Sequence, residues 1–383
     1  MVLFQLLGDR LDQRAMSESI LDSVAYLLHE VEERLGFHIF LAGEKKFGEN
    51  VIVAFAKLVK VHGSTPRRCQ LETGRVYPPS PEDSDAEAVG DCPDVVVVGA
   101  ASRDLAAEDG RGWRLGGAAT YCSLAGARLG LRVGCLLGVD SDAAEATELD
   151  LLRDAGVDLR LAALEHGPVF DNLEINGQRR QRWLSRSDSV PVGALPPGWQ
   201  DAKAWLFVPV AGEIDGEWAD LVGPGARVAV GPQGLLREFA DGGWVKRVAA
   251  YRSDLLATSG LVCASVGDLE PGTTLNLLRQ LAPDASVVLT AGDAGGVAMT
   301  AGELGRYWAI PAERLVDSTG AGDVFLAALV AAWTLSGERA TPRALRFAAA
   351  AGSCAVEGVG LDGVPTRAQV AARLHGRKSG VGE

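Results

Sequence analysis

The sequence lacks several features that would assign it to a familiar class of protein. Its six cysteines form no C-x-x-C pair and its five histidines form no H-E-x-x-H pair, so neither a disulfide framework nor a zinc site is indicated. No apolar run reaches the roughly 18 residues of a membrane span, and the chain does not begin with a basic-then-apolar signal pattern. These absences favour a protein of the reducing cytoplasm.

Positive charge is also scarce, with 37 Lys and Arg residues against 50 Asp and Glu residues and a net charge of −13. This balance argues against binding to a nucleic-acid backbone, and we interpret it as a contribution to solubility. Because 47% of the 383 residues are hydrophobic, the chain can bury a large core. Its length predicts two domains, or one large domain with additions.

The chain changes character near residue 90. Residues 1–90 are predicted to form an N-terminal extension that ends in an acidic, Pro-rich linker, to which the sequence assigns no role. Within residues 94–374, apolar strands alternate with helices, which predicts an α/β fold with a doubly wound, mainly parallel sheet. Residues 375–383 are predicted to be a flexible tail.

One segment breaks the alternation of strands and helices. Residues 168–186 contain two polar strands around Asn176-Gly177, a dipeptide typical of tight hairpin turns. Such a hairpin is either a lid over a site or a decorative ribbon at the sheet edge, and the sequence leaves both interpretations open.

A glycine-rich segment, "DSTGAGD", precedes a long apolar helix. The small residues Gly320, Ala321 and Gly322 let backbone N–H groups approach a ligand at the positive end of the helix dipole, which predicts an anion site. Asp323 would repel an anion, but its presence is explained if it accepts a proton from a hydroxyl that attacks a phosphate. The alternative is a tight turn whose Asp only favours the helix dipole.

Three blocks together resemble the ribokinase-like, or PfkB, carbohydrate kinases. "DSTGAGD" resembles the second signature of that family, "LGGAATYCSLAGARLGLRVGCLLGVDSD" the first, and "VVLTAGDAGGVAM" its nucleotide-facing strand and turn. Their order and spacing fit the family over roughly residues 94–374. The resemblance implies a ribokinase-like fold with a small β-hairpin lid. It also implies an ATP-dependent kinase acting on a hydroxyl of a sugar, polyol or nucleoside.

The resemblance also implies roles for individual residues on the acceptor side. Asp323 matches the catalytic base, and the Gly320–Gly322 segment matches the anion hole that holds the transferring phosphoryl group. Asp104 matches the carboxylate that binds substrate hydroxyls. Also assigned to the substrate site are Gly116, Gly117 and Tyr121.

On the donor side, the resemblance implies that the nucleotide is bound by Thr290, Gly292, Gly295 and Thr319. Asp317, together with Thr319, matches positions that help to bind a monovalent cation such as K⁺ in several relatives. The family's N-x-x-E motif, which orders water around Mg²⁺, aligns with "SVGD" at residues 265–268. Asp268 keeps a carboxylate there, while Ser265 replaces the Asn.

Further segments bear on the acceptor. "PVAGEI", "GPQGLLREF" and "LVCASVGDLE" are similar to plant-type inositol kinases, which favours a polyol such as myo-inositol. Ala118 and Tyr121 replace the Lys and Asn of ribose kinases, which argues against ribose. The Tyr121 ring packs either on a cyclic substrate or in the core. Glu213 is either a substrate contact or, the favoured interpretation, an exposed carboxylate at a strand end.

Two alternative functions stay open from the sequence. One is a nucleoside kinase of the same family, and the other is a non-catalytic, nucleotide-binding regulatory protein, which the altered "SVGD" and the extension suggest. A dinucleotide-dependent enzyme is disfavoured because no G-x-G-x-x-G follows "VVVVGAAS". The expected partners are a small-molecule sugar or polyol and a second copy of the chain, with no nucleic acid and no membrane.

Overall fold

The computed structural model describes residues 92–175 and 178–376. The predicted N-terminal extension, the Asn176-Gly177 turn and most of the predicted tail lie outside these residues. No helix within the described ranges combines the length and the apolar content needed to cross a membrane.

The described residues form strands and helices that alternate along most of the chain. The strands are β1 (Val95–Ala100), β2 (Ser102–Leu105), β3 (Trp113–Gly116), β4 (Val133–Val139), β5 (Asp158–Ala163), β6 (Val169–Ile175), β7 (Gln178–Ser185), β8 (Ala204–Phe207), β9 (Arg227–Val230), β10 (Arg237–Phe239), β11 (Val245–Arg247), β12 (Leu261–Ser265), β13 (Ser286–Thr290), β14 (Gly296–Thr300) and β15 (Glu303–Tyr307). The helices are α1 (Ala118–Arg128), α2 (Ser141–Ala144), α3 (Glu148–Asp154), α4 (Glu217–Asp220), α5 (Asp254–Thr258), α6 (Leu275–Leu281), α7 (Ala321–Ser336), α8 (Pro342–Ala355) and α9 (Arg367–Leu374).

A nine-stranded sheet forms the centre of the fold, in the order β15-β14-β13-β12-β9-β8-β1-β4-β5. The strands from β13 to β5 are paired in parallel, whereas β14 and β15 are added antiparallel at one edge. The predicted α/β fold with a mainly parallel sheet is therefore confirmed.

The central sheet is covered on both faces, as the β-branched run of β1 predicts. Val95 and Val97 belong to one apolar core, which includes residues of α1, α7 and α8. Val96 and Val98 point into a second core, which includes residues of α4, α5 and α6. Because successive side chains of a strand alternate between faces, this division shows that the sheet separates two layers of helices.

A smaller four-stranded sheet, in the order β3-β2-β6-β7, contains the predicted hairpin as the antiparallel pair β6–β7. Strand β2 follows the carboxyl end of β1 after a single residue and pairs with β6, which places Asp104 opposite Phe170. A second hairpin, β10–β11, which the sequence did not predict, contacts this sheet. Arg182 and Trp244 form an isolated antiparallel β-bridge between them. The ring of Trp183 also lies between the rings of Phe170 and Phe239. We call the four-stranded sheet the lid sheet.

Candidate active site

A cavity of 1370 Å³ lies between the lid sheet, the β10–β11 hairpin, the carboxyl ends of β12 and β13 and the start of α7. Ligands of open α/β sheets bind outside the carboxyl ends of the strands. The cavity wall includes every site residue predicted from the sequence except Gly116 and Asp317. The predicted residues that line it are Asp104, Gly117, Tyr121, Asp268, Thr290, Gly292, Gly295, Thr319, Gly320, Ala321, Gly322 and Asp323.

Asp323 is half-buried in the first turn of α7 and lines this cavity. Desolvation by the surrounding protein, together with the negative charges of Asp268 and Asp104, raises its pKa to about 7, and the positive charge of Arg237 opposes this shift. A general base works best when its pKa lies near the operating pH. Asp323 can therefore accept a proton from a hydroxyl in the cavity at neutral pH.

The entrance to α7 depends on a glycine at position 320. Gly320 is the N-cap residue with φ 75°, in the left-handed region that residues with a Cβ rarely adopt. A Cβ at this position would also overlap the ring of Tyr121, whereas a Cβ at Gly322 would meet no protein atom within 4 Å. The protein thus packs closely behind Gly320 and leaves open space beside Gly322, where a ligand can approach the helix start.

Asp317 does not line the cavity but braces the loop that does. Its two carboxylate oxygens accept hydrogen bonds from the backbone N–H groups of Thr319, at 2.9 Å, and Gly360, at 3.1 Å. The N–H of Val316 also donates to the carbonyl of Val356, at 2.8 Å. Asp317 therefore joins the loop before α7 to the segment that contains Gly360.

On the lid side, the Oδ1 atom of Asp104 accepts a hydrogen bond from Ser102 Oγ at 2.9 Å. A Cβ at Gly116 would lie 2.7 Å from Asp104 Oδ2, so Gly116 makes room for this carboxylate rather than facing the cavity itself. Gly117, with φ 98°, would place a Cβ 2.9 Å from the backbone N of Ser102. The glycine pair therefore allows β3 and α1 to approach β2, where Asp104 lies.

Tyr121 lies at the boundary between the protein core and the cavity. Its side chain belongs to the cavity wall, but only 4% of the residue is exposed and its ring lies against Gly320. The ring therefore supports the anion loop from behind.

Glu213 corrects an expectation from the sequence, which favoured an exposed carboxylate at a strand end. The residue is fully buried, and its carboxylate accepts hydrogen bonds from the backbone N–H groups of Ala100 (3.1 Å), Val210 (3.0 Å) and Ala211 (2.7 Å). Burial raises its pKa, and the backbone donors act in the opposite direction. Glu213 thus ties the carboxyl end of β1, which leads to Asp104, to the segment that follows β8.

Glu213→Gln is expected to destabilise the protein by about 1–3 kcal/mol, because the amide NH₂ would face backbone donors and leave buried groups unpaired. Thermal melting tests this, with the exposed Glu217 changed to Gln as the matched control. An unchanged melting temperature for Glu213→Gln would contradict the role of a buried brace.

The residues that form hydrogen bonds to Asp268 were not predicted from the sequence. Its Oδ1 atom accepts hydrogen bonds from Arg237 Nη2 at 2.9 Å and Gln233 Nε2 at 3.1 Å. Gln233 and Arg237 lie just after β9 and at the start of β10, about 30 residues from Asp268 in the chain. Both residues lie in "GPQGLLREF", whose resemblance to inositol kinases carries no information about these contacts. Arg180, Trp244 and Arg247, which also line the cavity, were missed in the same way.

A family model matches part of the chain. Residues 264–367 match the model of the pfkB family of carbohydrate kinases, and no curated protein matches the chain. The resemblance to this family that the sequence blocks indicate is therefore confirmed.

Solved structures show the same fold at low sequence identity. One is a pyrophosphate-dependent myo-inositol-1 kinase converted by mutation into a myo-inositol-3 kinase, with 16% identity, a TM-score of 0.59, and coverage of 74% of this chain and 98% of that chain. Another is the Arabidopsis thaliana ribokinase with ribose and ATP, at 20% identity, TM-score 0.54, and coverage of 74% and 99%. A third, an E. coli protein assigned as ribokinase II with ATP and Mg²⁺, has 19% identity, TM-score 0.55, and coverage of 74% and 99%. The ribokinase-like fold is thus confirmed.

Proposed function

We propose that this chain, which folds like the ribokinases, is an ATP-dependent kinase that transfers the γ-phosphoryl group to a hydroxyl of a sugar or polyol. The observation that carries the proposal is the position of Asp323. A carboxylate whose pKa is raised to about 7 lies next to the glycine-rich start of α7, in the same cavity as Asp104. That combination places a general base, an anion site and a carboxylate that can bind substrate hydroxyls in one cavity.

In the proposed reaction, Asp323 removes the proton from the acceptor hydroxyl while the oxygen of that hydroxyl forms a bond to the γ-phosphorus. The bond between the γ-phosphorus and the bridging oxygen breaks, and ADP leaves with the electron pair. Backbone N–H groups of Gly320 and Gly322 stabilise the charge on the phosphoryl oxygens, together with the positive end of the α7 dipole. The N–H of Ala321 donates to the carbonyl of Ser318 at 3.4 Å. Asp323 then releases its proton to solvent.

The acceptor is held on the lid side of the cavity in this proposal. Asp104 accepts hydrogen bonds from two hydroxyls, and Phe170 and Gln181 of the lid sheet line the same space. Covering this space excludes water, which would otherwise compete with the acceptor hydroxyl. The lid interpretation of the hairpin is therefore the one we adopt, and myo-inositol is the first polyol to test.

The part of the cavity wall that follows β13 and β15 suits a nucleobase. It consists of the apolar residues Ala309, Ile310, Pro311 and Leu315, after β15, and of Thr290 and Gly292, at the end of β13. Ligand pockets that bind flat, apolar groups are built mostly from such side chains with a few polar ones. Pyrophosphate, the donor named for one of the structural relatives, has no base to fill this space, so the lining favours ATP.

Asp268 fits a magnesium site with a single carboxylate. Mg²⁺ is usually held by one or two carboxylates together with substrate phosphates, and when bound it neutralises phosphate charge. Gln233 and Arg237 orient the Asp268 carboxylate, as second-shell groups commonly do. Asp317 and Thr319, beside the 356–360 segment, are the residues we propose for a K⁺ site.

ADP release from ATP and Mg²⁺ across a panel of polyols, sugars and nucleosides tests the proposal. We expect ADP release with one class of sugar or polyol. Calorimetry measures ATP binding separately. Turnover restricted to nucleosides would identify the alternative nucleoside kinase. Binding of ATP without turnover of any acceptor would identify the non-catalytic, nucleotide-binding alternative.

A further inference from the structure

The β10–β11 hairpin carries an unusual pair of charges on the face that lines the cavity. Arg237 and Arg247 are directly opposite each other in the antiparallel register, so their side chains lie on the same face, and both line the cavity. Like charges in this position destabilise a hairpin. On the other face the next pair, Glu238 and Lys246, forms an ordinary ion pair at 2.6 Å. The cavity face therefore has a charge pattern that hairpin stability does not explain.

A third arginine approaches from the lid sheet. Arg180, on β7, lines the cavity, and its guanidinium lies 4.4 Å from the ring centroid of Trp244, in the loop that joins β10 to β11. Arg237 is paired with Asp268 at 2.9 Å. Among the residues whose side chains the structure describes, which exclude 174–179 and 241, neither Arg180 nor Arg247 has an acidic partner. Two uncompensated guanidinium groups thus face one cavity.

Arg180 belongs to the same sheet as Asp104. It lies on β7, which pairs with β6, and β6 pairs with β2, which carries Asp104. Arg237 is close enough to Asp323 to lower the pKa of that carboxyl. Asp104 can bind hydroxyls, while the guanidinium groups require an anionic oxygen group. Their excess charge of roughly two matches a phosphate monoester, which carries about −1.5 to −2 at neutral pH.

Resting on the kinase function proposed above, we infer that the acceptor is a sugar or polyol that already carries a phosphate group. Arg180 and Arg247 bind that phosphate, since planar guanidinium groups suit phosphate oxygens. Asp104 binds the hydroxyls of the same molecule, and a free hydroxyl faces Asp323. The product is then a bisphosphate, and a reaction that forms a phosphorylated sugar or polyol must supply the substrate.

The inference is tested by kcat/KM for matched acceptors that differ only in a phosphate, with ATP as donor. The pairs are myo-inositol and its monophosphate, and ribose and ribose 5-phosphate. Gluconate, which carries a carboxylate and no phosphate, is tested beside them. We expect at least a 100-fold preference for a phosphorylated member. Arg247→Gln and Arg180→Gln should each raise the KM for that acceptor about 10–100-fold, the range expected for a hydrogen bond to a charged group. The KM for ATP should not change.

Lys246→Gln is the matched control, because it removes one positive charge from the same hairpin on the opposite face. It should leave every KM unchanged. Equal kcat/KM for the neutral and phosphorylated members would overturn the inference while leaving the kinase function intact, as would a preference for gluconate. A rise in the KM for ATP in the arginine variants would also overturn it, because the arginines would then serve the donor.

If no acceptor is turned over, the proposed function fails and the inference is decided by binding. Calorimetry then compares the phosphorylated and neutral members on the wild type and on Arg247→Gln. Tighter binding of the phosphorylated member, lost in the variant, supports the anionic acceptor site. Equal binding of the two members overturns it.

Discussion

Replacement of Asp323 by Asn is expected to lower kcat by about 10²–10⁴-fold, because the amide cannot accept the proton of the acceptor hydroxyl. Asn keeps the size of the side chain at the start of α7, so the affinity for ATP should be unchanged. Steady-state ADP release measures the first effect and calorimetry the second. Asp220→Asn, which changes an exposed carboxylate of α4, is the control and should leave both values unaltered.

The pH profile identifies how Asp323 acts. Its pKa is raised to about 7, and only the deprotonated form can act as base. For the wild type, kcat/KM should therefore fall roughly tenfold for each pH unit below about 7 and level off above it. The residual activity of Asp323→Asn should show no such limb. A wild-type profile that is flat between pH 5 and pH 8 would contradict the assignment.

The same pKa shift has a consequence for stability. Because the folded-state pKa lies above the ordinary value of 3.8, the folded protein binds this proton more tightly than the unfolded chain. The stabilisation is fully present below about pH 4 and is lost as the pH rises through 7. Asp323→Asn should therefore melt at a higher temperature than the wild type at pH 8. A lower melting temperature at pH 8 would indicate that the carboxylate serves the fold rather than the reaction.

Features that depend on local sequence were predictable. The continuous β-branched run of β1 indicates a strand covered on both faces, and the glycines before α7 indicate the start of a helix. Asn176-Gly177 indicates a hairpin. In each case the residue types that cause the structure are adjacent in the chain.

Features that depend on distant segments were not predictable in this way. Strands β10 and β11 have three residues each, too few to show a period. The cavity arginines come from this hairpin and from the lid sheet, so their convergence follows only from the fold. The burial of Glu213 was missed for a related reason, since its backbone donors include Ala100, which lies 113 residues away.

Replacement of Gly320 by Ala is expected to lower kcat by about 10²-fold, the effect of losing one donor of an anion hole. The residue has φ 75°, and a Cβ would overlap the Tyr121 ring. The loop must then shift, and with it the N–H groups at the start of α7. A displacement of about 1 Å at a reacting centre is enough for a loss of this size.

Gly337→Ala separates this effect from backbone strain. Gly337 ends the same helix with the same φ of 75°, and a Cβ there would meet no atom within 4 Å. Both variants should lose about 1–2 kcal/mol of stability, because both force alanine into the left-handed region. Gly320→Ala should lose more, because its Cβ also overlaps the Tyr121 ring. Only Gly320→Ala should lose activity, and it should do so through kcat at saturating ATP and acceptor. Equal kcat values for the two variants would contradict the assignment of this loop as an anion hole. They would mean that the close packing behind Gly320 has no part in catalysis and that the loop can move without loss of activity.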